Sequence, residues 1–212
     1  FHNPTTDTYA GAVDSINGGV LPNMNGQHVA VLDGGTADNY FLQSTRVATE
    51  ADTYYTLTVA LGVRDSATSY GARLEITSNG SVVASASFDK ATLDALHGSD
   101  ASGSFTDASV SWTTASSVTT NQLLAIRVVK EGGAGTVIDF DNVRFTTAAA
   151  SAYQSWAVEN GLSTSQALSA ADVDGDGNSN LLEFAFGTDP AVSNGGSIGY
   201  GSGVVTPGLP LP

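Results

Sequence analysis

The chain has 212 residues, 41% of them hydrophobic, enough for one mid-sized core plus an appendage. Seven Lys and Arg against 21 Asp and Glu leave a formal charge of −14, a field that repels phosphate backbones and anionic lipid surfaces and so argues against a nucleic-acid partner. Cysteine is absent, which removes disulfides and thiol catalysis and leaves a bound metal as the available cross-link.

From Phe1 to about Gly26 the chain is rich in Gly, Asn and Pro, which predicts loops with at most short strands. No stretch has the length of a transmembrane helix, so membrane insertion is not expected. The opening Phe1-His2-Asn3-Pro4 lacks a signal-peptide pattern, and the chain is read as a mature or excised piece. His28–Leu32 is the first strand expected, followed by Tyr40–Val47 and then by Thr53–Arg64. In that third run Tyr55, Leu57, Val59, Leu61 and Val63 alternate with Tyr54, Thr56, Thr58 and Ala60, a period of two that no helix face produces. Gly71–Thr77 and Ser81–Phe88 flank Asn79-Gly80 and predict a hairpin, a reading preferred over the glycosylation sequon that Asn79-Gly80-Ser81 also spells. Asp89–His97 is the one helix-like piece in this half. Strands follow around Val110 and Trp112, over Leu123–Lys130, and over Thr136–Thr147. In the last of these Ile138 and Phe140 share one parity and Val143 and Phe145 the other, a phase slip at Asp141-Asn142 that signals a bulge.

Roughly eight strands with almost no helix before Ala148 predict a mainly β protein with an antiparallel β-sandwich over residues 1–147. Tyr55-Thr56-Leu57-Thr58-Val59 running into Gly62, the hairpin after Leu74, and the closing Asp139-Phe140-Asp141-Asn142-Val143-Arg144-Phe145 resemble jelly-roll domains of the carbohydrate-binding-module type in bacterial exoproteins. That resemblance implies a jelly-roll fold and suggests sugar binding. It also suggests a second structural calcium held in part by Asp139 or Asp141, against the plainer reading of both as strand and bulge polarity.

Residues 148–190 read as a small-residue linker and a helical module, in which Tyr153, Trp156 and Ala157 mark a short amphipathic helix ending near Asn160-Gly161. Next comes Asp172-Val173-Asp174-Gly175-Asp176-Gly177-Asn178-Ser179-Asn180-Leu181-Leu182-Glu183, with an oxygen ligand at every position a twelve-residue calcium loop needs. Asp172, Asp174, Asp176, Asn180 and Glu183 would bind through side chains and Asn178 through its carbonyl, with Gly177 at the sharpest turn. All donors are hard oxygens, which favours Ca²⁺ over zinc or copper, and magnesium would fit poorly. The segment before the loop is polar and interrupted, and a short helix after it stops at Gly187, so a calcium staple is expected rather than a sensor. Leu181, Leu182 and Ala185 are expected to pack on Trp156 in a miniature core. The loop resembles those of dockerins and thrombospondin type 3 repeats. With Trp156 before it and Gly187-Thr188-Asp189-Pro190 after it, the stretch is similar to a module found near the C-termini of secreted bacterial surface proteins.

No local motif demands an enzymatic reaction, and none is expected. The three histidines lie far apart, and Asp33, Asp65, Glu75, Asp100 and Asp107, which could hide a carboxylate pair, are read as solvated acids. Of Tyr40, Phe41, Tyr54 and Tyr70, able in principle to stack on sugars, Tyr40 and Tyr70 are the candidate carbohydrate contacts. Trp112, alternating with Val110, is assigned to the core. The expectation is a secreted, calcium-stabilised structural or adhesive protein at the cell surface. Its alternative is a carbohydrate-binding module that targets a larger protein to extracellular polysaccharide. The tail, residues 191–212, alternates Ile198, Tyr200, Ser202 and Val204 with glycines. It is expected either to complete a sheet, in the same chain or in the next subunit of a head-to-tail filament, or to serve as a linker.

Overall fold

The computed structural model describes residues 30–32, 39–62, 71–97, 105–132, 137–194, 199–201 and 204–206, and the statements below concern these. Tyr70, Asp33, Asp65, Asp100 and the Phe1–Gly26 segment lie outside them. The elements in chain order are β1 (Ala30–Leu32), β2 (Tyr40–Ala48), β3 (Thr53–Gly62), β4 (Gly71–Ser78), β5 (Ser81–Asp89), α1 (Lys90–His97), β6 (Phe105–Thr113), β7 (Leu123–Lys130), β8 (Ile138–Ala149), α2 (Ala152–Glu159), α3 (Asn180–Phe186), β9 (Gly199–Gly201) and β10 (Val204–Thr206).

Two four-stranded sheets, ordered β1-β8-β3-β6 and β2-β7-β4-β5, enclose one core and make a jelly-roll-like antiparallel β-sandwich. Period-two alternation supplies that core from both sides. Tyr55, Leu57, Val59 and Leu61 of β3 point inward, as do Leu74 and Ile76 of β4 and Leu124, Ile126 and Val128 of β7. Phe41 and Phe140 meet across the two sheets with centroids 5.6 Å apart, so Phe41 belongs to the core. Trp112 and Phe145 both stack on Tyr55, at 5.5 and 6.0 Å. Asn79 and Gly80 both take positive φ, 47° and 83°, the backbone a two-residue primed turn requires. Asn142 has φ 46°. Its left-handed kink shifts the phase of β8, so that Ile138 and Phe140 before it and Val143 and Phe145 after it all reach the core.

At the end of β3 the chain must be glycine for steric reasons. A Cβ on Gly62 would lie 2.6 Å from the ring of Phe105, and Phe105 is itself buried. Overpacking of this kind costs about 1–3 kcal/mol. Gly62→Ala should therefore lower the thermal midpoint of the sandwich by several degrees, and an unchanged melt would show that β6 yields freely there.

The chain divides into two compact units. The first comprises residues 1–49, 54–112 and 119–148; the second takes residues 50–53 and 113–118 together with 149–212. Within the second unit α2 starts at a capping box. Ser151 Oγ accepts from the Gln154 amide, and Gln154 Oε1 accepts from the Ser151 amide, satisfying two otherwise orphaned donors. The unit is also stitched by Ser155 Oγ donating to Asp52 Oδ1 and Ser116 Oγ donating to Glu159 Oε1.

Two short strands of the tail are described. β9 and β10 pair with each other, Tyr200 opposite Val205, in a two-stranded sheet. Ile198, Ser202 and the rest of the tail beyond Asn194 lie outside the described residues.

Candidate metal centre

Local backbone bonds shape the loop between α2 and α3. Asp172 accepts the amides of Gly175 and Gly177, at 2.8 and 2.9 Å. Asp174 Oδ1 accepts the amide of Asp176, and Asp176 Oδ1 that of Asn178. Gly175 and Gly177 take φ of 76° and 94°, left-handed backbone that a side chain would strain. This winding brings carboxylate oxygens of Asp172, Asp174 and Asp176 within 4.8 Å of one another. Asp176 is held below the usual carboxylate range, first by the Asn178 amide and then by the Asn194 amide.

Glu183 enters from α3. Ser179 caps that helix in extended conformation, and Gly187, at φ 70°, ends it in the left-handed region. The first turn thereby directs Asn180 and Glu183 inward. Glu183 is fully buried, and both its carboxylate oxygens, like Asp174 Oδ2, lack a hydrogen-bond partner. Burial pushes its carboxyl up to about 7, with Asp174, Asp176 and Asp172 adding to the push. The Thr188 hydroxyl pulls the other way, although it lies outside hydrogen-bonding geometry. A buried acid facing three others, with unsatisfied oxygens, is costly unless a cation compensates it. All available donors are hard oxygens, so the residues fit a calcium-sized divalent ion.

Asn180 anchors this region, and one expectation for it changes. Asn180 is completely buried, but its amide Nδ2 donates to the carbonyls of Gln166 and Leu168, at 2.5 and 3.0 Å. With its own amide bonded to Ala171 O at 2.7 Å, Asn180 stitches the preceding segment to α3, and these bonds leave its side-chain Oδ1 buried with no hydrogen-bond partner. Leu181 and Leu182 are exposed, at 51% and 41%. A helix that turns Asn180 and Glu183 inward carries its second, third and sixth residues outward. The miniature core forms instead from Tyr153, Trp156 and Phe184, with ring centroids 5.5 to 5.6 Å apart. Asp139 and Asp141 join no group of three metal-ligating side chains among the described residues.

On the first unit the outward face of β2-β7-β4-β5 carries a polar grid set by register. Tyr40 lies opposite Val129 and that opposite Arg73; Leu42 lies opposite Arg127 and that opposite Glu75. Arg73 Nε and Arg127 Nη1 both donate to Glu75, at 2.7 and 3.2 Å, and leave it 4% exposed. Glu75 is thus an ion-paired group, where the sequence suggested a solvated acid. The Arg127 guanidinium sits 5.1 Å from the centroid of the Tyr40 ring, and Tyr40 itself is 52% exposed. Nearby, Gly71, Asp89, Lys90, Asp94 and Glu131 line an open hollow of about 520 Å³. In it Asp89 is kept below the usual carboxylate range by the Thr92 hydroxyl and amide, so it acts as a helix cap and has no tendency to hold a proton.

Residues 1–146 match the model of the HpiC1-like family, described as HpiC1 cyclase. The chain belongs to that family. The expectation of a protein with no enzymatic role is therefore corrected: the match spans the sandwich, and its family is one of cyclases. The misreading has a physical reason, since this chain has no compact nucleophile or phosphate motif and an acid or base on a sandwich needs no local signature. No curated protein matches the chain. Among solved structures, a cyclase from Fischerella sp. TAU in complex with 4-(1H-indol-3-yl)butan-2-one is 22% identical, with TM-score 0.48, covering 60% of this chain and 67% of that one. A second structure of a Fischerella sp. TAU cyclase is 24% identical, with TM-score 0.48, covering 60% and 66%. A family 16 carbohydrate-binding module is 15% identical, with TM-score 0.37, covering 57% and 78%. The chain thus spans about two thirds of the length of the Fischerella cyclases.

Proposed function

We propose that this is a calcium-binding member of the cyclase family, in which the loop from Asp172 to Glu183 holds one Ca²⁺ that staples the second unit. The observation that carries this reading is Glu183, fully buried with both oxygens unpartnered beside three aspartates. Asp172, Asp174, Asp176 and Glu183 would supply carboxylates, Asn180 its buried, unpartnered side-chain oxygen, and Asn178 its backbone carbonyl. The ion would offset the burial, and then the repulsion from the three aspartates, that raise Glu183. Like other extracellular modules it would bind weakly, at roughly 10⁻⁴–10⁻³ M, which suits a secreted protein in a calcium-rich medium. Calorimetric titration of the full chain with CaCl₂ should give one equivalent; no uptake at millimolar calcium would overturn the reading. Two equivalents would bring back Asp139 and Asp141 as partners in a second site.

Family membership assigns the sandwich a ring closure within a small molecule as the reaction class to assay. A second reading, binding to extracellular polysaccharide, is favoured by the exposed Tyr40 ring beside Arg127 and the ion-paired Glu75. Together they make a charge-neutral, flat, hydrogen-bonding face in an acidic protein, suited to a ring of hydroxyls. On a glycan array wild-type binding should be lost in Tyr40→Ala. Binding that survives this change would place the platform elsewhere.

A further inference from the structure

Beyond α3 the chain turns back over the metal loop. The Thr188 amide donates to Glu183 O at 3.0 Å, and Ala191 is bound into a turn by Asp189 Oδ1 at 2.9 Å. That turn delivers the Asn194 amide to Asp176 Oδ2, at 3.0 Å and eighteen residues away in sequence. The other oxygen of Asp176 is already taken by Asn178 N at 2.8 Å. Pro190 is buried beneath the turn, and its ring limits the ways the chain can open. Two further polar groups of this segment, Thr188 Oγ1 and Asn194 Nδ2, are buried without partners. Nothing in the twelve-residue loop pattern calls for these contacts.

We infer that residues 187–194 are a clasp on the calcium loop, with Asn194 as the positioning residue that fixes the orientation of the Asp176 carboxylate. The inference rests on the calcium reading above and adds a consequence to it. A ligand held from both sides loses less freedom when the ion binds, so the clasp lengthens the residence of the ion, and the ion in turn holds the clasp shut. Calcium would then govern whether the chain leaving Asn194 is anchored to the module or released from it.

The test uses the full chain. Calcium release is timed by rapid mixing with a chelator for wild type, Asn194→Pro, which removes the amide donor, and Asn194→Ala, which keeps it. Release should be about tenfold faster in Asn194→Pro, the worth of one hydrogen bond to a charged group, and closer to wild type in Asn194→Ala. In wild type, hydrogen exchange at the Asn194 amide should slow on adding calcium, a measurement that stands even where the proline variant folds poorly. Absence of calcium uptake by wild type would remove the metal reading itself. Calcium uptake with equal release rates in wild type and Asn194→Pro, or exchange at Asn194 indifferent to calcium, would overturn the clasp alone.

Discussion

Replacing Glu183 with Gln is expected to weaken calcium binding by about a hundredfold or more, beyond what the loss of an outer contact causes. It should at the same time stabilise the metal-free module. The two effects have one origin. The carboxylate is fully buried and its oxygens have no hydrogen-bond partner, so in the absence of a cation its charge is a liability, and a neutral amide of equal size removes it. With calcium present the same charge closes the coordination sphere as a bidentate ligand, and the amide, with one oxygen and no charge, cannot replace it. Melting curves with and without 10 mM CaCl₂ separate the terms. At a dissociation constant of about 10⁻⁴ M, saturation adds roughly 2.7 kcal/mol to wild type and almost nothing to the variant. If Glu183→Gln takes up calcium as wild type does, the helix carboxylate is not a ligand and the centre must be built without it.

The strands and the loop were legible in the sequence for different reasons. In β3 the alternation from Tyr55 to Leu61 is a local consequence of one face being buried, and it placed a core that the structure confirms residue by residue. The slip at Asp141-Asn142 was equally local, a matter of parity on either side of two polar residues, and Asn142 does carry the left-handed kink. What could not be read was whatever depends on pairing across the chain. Glu75 is protected because register places Arg127 opposite it and Arg73 stands two residues before it on the same face; the partner 52 residues away leaves no local mark. Tyr40 was a candidate from its chemistry alone, and only the β2–β7 register showed that Arg127 lies against its ring.

In the second unit the loop pattern was legible because ligand spacing is a property of twelve consecutive residues, whereas the roles of Asn180, Leu181 and Leu182 depend on how α3 is rotated. Once Glu183 is turned inward the helical period settles all three, with Asn180 on the buried side and both leucines outside. The clasp was hidden for the same reason as the Glu75 pairing. Thr188-Asp189-Pro190 reads as a stop after a helix, and nothing in it announces that Asn194 will reach Asp176. Catalysis left no trace in the pattern at all, and it was the family match that supplied it.

The pH dependence of the second unit should reverse sign when calcium is added. In the folded, metal-free chain Glu183 is raised from 4.5 to about 7, so between those limits the folded state binds more protons than the unfolded chain. Stability must then fall as pH rises from about 4.5 to 7 and level off above, a loss of at most about 3 kcal/mol for the full shift. Asp176 does not mask this. Its folded value is lowered by backbone donors, so its contribution is present above its unfolded value of 3.8 and lost only as pH falls further, outside the window. With calcium in excess the ion selects the carboxylate form, protons become competitors, and stability should rise with pH over the same range. Fluorescence of Trp156, which packs on Tyr153 and Phe184, reports this unit in a Trp112→Phe background that silences the sandwich. Melting points measured from pH 4.5 to 8 should fall without calcium and rise with it. A flat metal-free curve would mean that Glu183 relaxes into solvent before it ionises, and curves of the same slope with and without calcium would mean that the ion does not bind at this carboxylate.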